Sequence, residues 1–157
     1  MPPPVILDPT ELDFDKLAIT REEIQRSNPQ RAEFALLDGI VHLDAEREVF
    51  AGFHDIHEDD WWTRGHIPGR PLFPGVLMIE SAAQLVSYMS RHVLKVEGFL
   101  GFAAVDRAKF RGTLVPPARF VVVGRAVQVK KRRVVCETQG FTGDRMIFEA
   151  VITGMIV

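Results

Sequence analysis

The sequence predicts an α+β fold in which a curved antiparallel sheet wraps around one long buried central helix. Two observations carry this expectation. From Val76 to Met89 the chain has neither glycine nor proline and is apolar on nearly every face, the pattern of a helix that buries its whole circumference. After Gly98, four runs rich in β-favouring residues follow one another: Leu100 to Arg111, Arg119 to Val129, Val134 to Phe141 and Met146 to Ile156. Pro116-Pro117, Lys130 to Arg133 and Thr142-Gly143-Asp144 separate them as turns. A helix covered on all sides needs a surrounding surface, and a bent sheet of about six strands supplies one.

The earlier elements follow in chain order. Residues 1–19, opening on Met1-Pro2-Pro3-Pro4, form an N-terminal extension that is flexible or clings to the surface of a single domain spanning residues 20–157. Thr20 precedes Glu23 by three places, the spacing of a capping box, so Glu22 to Ser27 is predicted to be a short helix that Pro29 ends. Phe34 to His42 and Glu48 to Ile56 favour strands, with a polar turn over Asp44 to Arg47 making them a hairpin. Residues 61–75 hold three prolines and three glycines, which neither a helix nor a central strand propagates, so this stretch is a shaped loop.

A chain of 157 residues with 46% hydrophobic and 25% charged content fits one globular domain with one core. Its formal charge of -2 gives no general attraction to nucleic acid or to an anionic membrane. The start lacks the pattern of a secretory signal, and Glu80 and Gln84 interrupt the longest apolar run, so no segment is expected to span a bilayer. Cys136 is the single cysteine; a disulfide framework is excluded, and a reducing, cytoplasmic compartment is the expectation.

Chemistry concentrates between His66 and Gln84. An imidazole titrating near neutrality removes a proton at physiological pH, and a carboxyl set in an apolar helix donates one. His66 and Glu80 are therefore the candidate base and acid. Gln84 lies one helical turn beyond Glu80 on the same face and is placed to orient its carboxyl. At Gly75 the helix begins; its first amides have no intrahelical acceptor and can polarise an incoming carbonyl.

Other signals carry less. His54, His57, Glu58, Asp59 and Asp60 crowd together, but their order fits no helical zinc motif, so no metal is expected. Lys130 to Arg133 reads as a solvated turn rather than a nucleic-acid or carrier-protein patch. Cys136, in a strand-like run, reads as a small core residue.

The run from His66 through Pro68, Gly69, Pro71, Pro74, Gly75, Val76 and Leu77 to Glu80 resembles the signature of the FabZ-type (3R)-hydroxyacyl-[acyl-carrier-protein] dehydratases. Gln84 matches the glutamine that follows that signature. Similarity extends to Pro29-Gln30-Arg31, Leu36-Leu37-Asp38, Val105 to Arg111 and Val115-Pro116. The resemblance implies a hot-dog fold and a homodimer, which can assemble further into a trimer of dimers. It places the active site at the subunit interface, with His66 of one subunit facing Glu80 of the other. Gly75, Val76, Gln84, Pro68, Gly69 and Phe73 would bind substrate. The implied reaction converts (3R)-3-hydroxyacyl thioesters to trans-2-enoyl thioesters in fatty acid biosynthesis, without metal or cofactor beyond the phosphopantetheine of acyl carrier protein or coenzyme A. The family also leaves room for an acyl thioesterase of the same fold or a non-catalytic acyl-carrier-binding subunit. Thr63 and Ile67 stand where the family has phenylalanine, Ala104 where it has glycine, and Pro117-Ala118 where it has Gly-Asp.

Overall fold

The computed structural model describes all 157 residues. Strand β1, Ile19–Thr20, leads directly into helix α1, Arg21–Ser27. The Thr20 hydroxyl accepts from the Glu23 amide at 3.2 Å, and the Thr20 amide donates to Glu23 Oε2 at 3.3 Å. This reciprocal cap satisfies two amides that the helix itself leaves free, as the spacing predicts.

Strands β2, Gly39–Asp44, and β3, Val49–Ile56, form the expected antiparallel hairpin, but β2 starts later than the sequence suggests. Residues 32–34 are a 3-10 turn instead of a strand. The cause lies on the long helix α2, Gly75–His92. Gln84 Nε2 donates to Phe34 O at 2.8 Å, and its Oε1 accepts from the Leu36 amide at 3.1 Å. A helix side chain thus takes the backbone groups that a strand would have offered to a neighbour, while Leu36 and Leu37 turn into the core.

Strands β4, Leu100–Phe110, β5, Ala118–Lys130, β6, Arg133–Thr142, and β7, Arg145–Ile156, complete a seven-stranded sheet. Its order is β1-β2-β3-β5-β6-β7-β4, every pair antiparallel. The expectation of about six strands falls one short because β1 has only two residues and no readable alternation.

Successive strand residues point to opposite faces, and both faces here are apolar. On the inner face Phe50, Phe120 and Phe148 pack with Met78, Ala82, Leu85 and Met89 of α2. The rings of Phe50 and Phe120 lie across Gly124 and Gly140, where an added Cβ would come within 2.5 Å of them. On the outer face Ala51, Phe53, Val121, Val123 and Phe141 form a second cluster, covered by Ile6, Leu7, Leu12 and Phe14 from the opening segment. That segment is tied down by polar bonds as well: Ile6 N donates to Gln139 Oε1, and Gln139 Nε2 donates to Pro4 O, each at 2.9 Å.

The helix is not buried on every side, contrary to the sequence expectation. Val76 is 70% exposed, and Ile79, Glu80, Ala83 and Ser87 are only partly covered. These residues recur at helical spacing and form one open stripe. The sheet covers the opposite stripe, and within one chain nothing closes over this one.

An ion network ties α1 to the β2–β3 hairpin. Asp38 Oδ1 accepts from Arg21 Nη1 at 2.8 Å, and its Oδ2 accepts from the Asp55 amide at 2.6 Å and lies 3.2 Å from His54 Nδ1. Burial pulls the Asp38 pKa upward, but the bonds from His54 and Asp55 and the nearby cations outweigh it and hold the carboxyl below its usual 3.8. A depressed folded-state pKa stabilises the fold above the unfolded value, and that stability is lost as pH falls through the folded one. Asp38→Asn is therefore expected to flatten the acid limb of a plot of Tm against pH below about pH 4, read by thermal melts across the acid range.

Candidate active site

The loop between β3 and α2 is anchored at both ends by aromatic packing. Trp62 and Phe73 are buried, 3% and 4% exposed, with ring centroids 5.6 Å apart. Phe73 also touches Phe120 and His54. Between the anchors, residues 64–70 are exposed, with Gly69 in the left-handed region at φ 79°.

The anchors hold His66 twice. Its amide donates to Trp62 O at 2.9 Å, and its Nδ1 lies 3.1 Å from Leu72 O. A carbonyl only accepts, so Nδ1 carries the proton and Nε2 keeps its lone pair. In that tautomer Nε2 is the ring nitrogen left able to accept a proton.

Pro74 and Gly75 open α2. Pro74 takes an extended backbone at the cap position and supplies no side-chain cap. The first hydrogen bonds into the helix start at Leu77 and Met78, both donating to Pro74 O. The Gly75 and Val76 amides therefore have no acceptor within the chain, and no acidic side chain stands in the first turn. This is a ready site for a carbonyl oxygen gaining negative charge. A Cβ at Gly75 would lie 2.7 Å from the Phe110 ring, so glycine lets the end of β4 pack close to the helix entrance.

Glu80 sits one turn and a half into α2 on the open stripe. Gln84 Nε2 donates to Glu80 Oε1 at 2.9 Å. With its other bonds to Phe34 and Leu36, Gln84 has every polar group engaged and is 3% exposed. A fixed donor of this kind fixes the carboxyl and leaves Oε2 free. Glu80 borders a cavity of about 360 Å³ between α2, Ser27–Gln30, and the paired strands β4 and β7.

Within one chain the structure brings Glu80 and Gln84 together but forms no hydrogen bond or ion pair between His66 and Glu80, and His66 lies outside the Glu80 cavity. Pro68 and Gly69 are exposed on the His66 loop, and Val76 is exposed at the helix entrance. The Phe73 side chain faces the core, where it can position the loop but offers no surface to a ligand. Sequence reasoning missed the Leu72 carbonyl, which is backbone and has no side-chain signature. It also missed Trp62 as an anchor, although a bulky aromatic just ahead of a Gly-Pro loop hints at one. His54 goes to Asp38 and Phe73. Cys136 is fully buried, and burial together with Glu48 pushes its thiol up to about 12, leaving it no thiolate for chemistry at neutral pH.

A long helix held against a bent antiparallel sheet, with free amides at its entrance, defines a hot-dog fold. Solved structures agree: the dehydratase heterocomplex ApeI:P from Xenorhabdus doucetiae superposes with a TM-score of 0.71 at 11% identity, covering 85% of this chain and 90% of that one. A thioesterase from Pseudomonas aeruginosa gives 0.68 at 19% identity, covering 89% and 95%. The chain belongs to the FabA-like family, whose domain model matches residues 28–151. It is 31% identical over 138 residues to the 3-hydroxyacyl-[acyl-carrier-protein] dehydratase FabZ of Fusobacterium nucleatum, covering 85% of this chain and 94% of that protein. To the FabZ of Syntrophomonas wolfei it is 36% identical over 117 residues, covering 73% and 80%. No helix is long and apolar enough to cross a membrane.

Proposed function

We propose that this protein is a hydro-lyase that dehydrates (3R)-3-hydroxyacyl thioesters to trans-2-enoyl thioesters, with acyl carrier protein as the carrier and fatty acid biosynthesis as the setting. The observation that carries the reading is that one chain prepares three groups: an imidazole with Nε2 free, a carboxyl fixed by Gln84, and two unpaired amides at a helix entrance.

Their union calls for a second subunit, and strand β4 supplies the means. It is an edge strand of 11 residues, open on one side and bearing exposed Phe102, Val105 and Phe110. Such an edge is a template for pairing. Pairing with its own copy about a two-fold axis runs the two β4 strands antiparallel. The Phe110 end, packed beside Gly75, then meets the partner's Leu100 end, which borders the Glu80 cavity. His66 and the Gly75 amide of one subunit thus face Glu80 of the other.

In that composite site the Gly75 and Val76 amides polarise the thioester carbonyl, making the proton on C2 more acidic. His66 Nε2 takes that proton, while Leu72 O keeps the imidazole in the required tautomer and stabilises the imidazolium that forms. The C2–H electron pair becomes the C2=C3 double bond, the C3–O bond breaks, and Glu80 Oε2 gives its proton to the departing hydroxyl, which leaves as water. Mass balance is closed without metal or redox cofactor.

Purified protein supplied with a 3-hydroxyacyl-carrier or -CoA thioester is expected to develop the conjugated enoyl absorbance. Release of free thiol without that absorbance would overturn the dehydratase reading in favour of a thioesterase.

A further inference from the structure

The opening segment crosses the outer face of the sheet toward the strand at its free edge. Phe14 lies against Phe53 of β3 and under the Arg119 guanidinium of β5, and Pro4 and Ile6 are bonded to Gln139 of β6. Pro3 and Pro4 share a groove with Glu149 and Val151 of β7 and with Arg107 of β4. Arg111, the residue after β4, pairs with Glu149 at 2.6 Å and donates to Met1 O at 3.5 Å. The segment therefore passes over β3, β5, β6, β7 and β4 in their order in the sheet. From Pro4 over β6 to Met1 over β4 it covers two strand spacings, roughly 9.6 Å, the reach of three residues of polyproline chain, roughly 9.3 Å. Pro2, Pro3 and Pro4 hold this stretch extended. Its leading end gains little within one chain: Met1 is fully exposed and Val5 is 53% exposed.

We infer that residues 1–4 cross the dimer seam and lie on the outer sheet face of the partner subunit, against the partner's Ala104 and the partner's Met155, so that two arms clasp the dimer. The inference rests on the self-pairing of β4 in the proposed site, which sets the Phe110 end of one strand beside the partner's Leu100 end. The segment crosses its own sheet on the row formed by Gln139, Glu149 and Lys109. Toward the Leu100 end the rows are Val135–Thr153–Ala104 and Arg133–Met155–Gly101. Their side chains alternate with the core-facing Ile152 and so stand on the outer face. Ala104 and Val135 are half-buried there and Met155 is 43% exposed, a small apolar floor. Met1, already above β4, is one strand spacing, about 4.8 Å, from the partner's copy of that strand, and its flexible thioether side chain fits an irregular apolar surface. The two-fold axis repeats the contact. Because the proposed site draws on both subunits, the arms set how far the protein can be diluted before activity is lost.

The test deletes residues 2–4, which leaves Met1 joined to Val5 and keeps both the Ile6 bond to Gln139 and the apolar cover from Ile6 to Phe14. The dimer is expected to weaken about tenfold or more, since each of two arms withdraws buried methylenes that contribute about fourfold apiece. Sedimentation of the full and shortened chains over a dilution series reads this, and the enoyl-forming activity of the shortened chain falls away at a correspondingly higher protein concentration. A second measurement mixes full-length chains carrying only Pro2→Cys with chains carrying only Ala104→Cys, or only Met155→Cys, and adds a short bismaleimide. Cys136 is fully buried, so a linked pair of unlike chains reports an arm lying on its partner, and linkage is the expected result. A shortened chain that dimerises as tightly as the full one, or dimers whose unlike chains stay unlinked, would overturn the inference and leave the shared site and its reaction intact. Weakened dimers and linked chains without any enoyl product would remove the proposed reaction and leave the clasp standing. A full-length chain that stays monomeric at every concentration would overturn both.

Discussion

Alanine at His66 and glutamine at Glu80 are each expected to lower turnover by about two to four orders of magnitude, while an equal mixture of the two variants regains activity. The regain follows from the proposed sharing of each site between two subunits. A mixed dimer pairs one chain that has lost its imidazole with one that has lost its carboxyl. Of its two sites, one lacks both groups and the other has both. Random reassembly makes about half the dimers mixed, so about a quarter of the wild-type sites return. A site complete within one chain predicts no such recovery. The measurement is the enoyl absorbance rate before and after the two proteins are unfolded together and refolded, with mixed dimers confirmed by native mass spectrometry. Near-normal rates in either single variant would sink the catalytic assignment. Mixed dimers without recovered activity would sink the shared site while leaving the catalytic assignment open.

The parts of the molecule that were legible in the sequence are those governed by local chemistry. Thr20 and Glu23 announce the start of α1 because a capping box is a matter of four consecutive residues. Three prolines and three glycines announce the loop over residues 61–75, and the pairing of Glu80 with Gln84 follows from helical spacing. The failures involve partners that no local side-chain pattern records. Phe34 to Leu37 have strand-like side chains, but Gln84, about fifty positions away, takes their backbone groups. The apolar stripe at Val76, Ile79 and Ala83 reads as core by composition; it stays open in one chain because the sheet covers only the opposite stripe of the helix. The tautomer of His66 depends on Leu72 O, and no side-chain pattern records where a carbonyl points.

The opening segment is the part of the fold for which the sequence left two outcomes, and its removal is the second large effect expected. Ile6, Leu7, Leu12 and Phe14 lie half-buried over the outer sheet face. Phe14 meets Phe53 edge-on at 5.4 Å, and the Arg119 guanidinium lies over both rings at 4.7 and 4.4 Å. Asp55 holds that guanidinium through bonds of 2.6 and 3.0 Å. Half-burial of four such side chains contributes about 1 kcal/mol each, so removing residues 1–18 is expected to destabilise the fold. The greater consequence is exposure: Phe53, Val121, Val123 and Phe141 become a continuous apolar face on a sheet, the kind of surface that recruits a second copy. The truncated protein is expected to melt several degrees lower and to scatter light as larger, concentration-dependent species. Phe14→Ala, which keeps the Pro4 and Ile6 bonds to Gln139, is expected to lower Tm while holding the original mass. A truncated protein with unchanged mass and melting temperature would mean that residues 1–18 do not shield this face in solution.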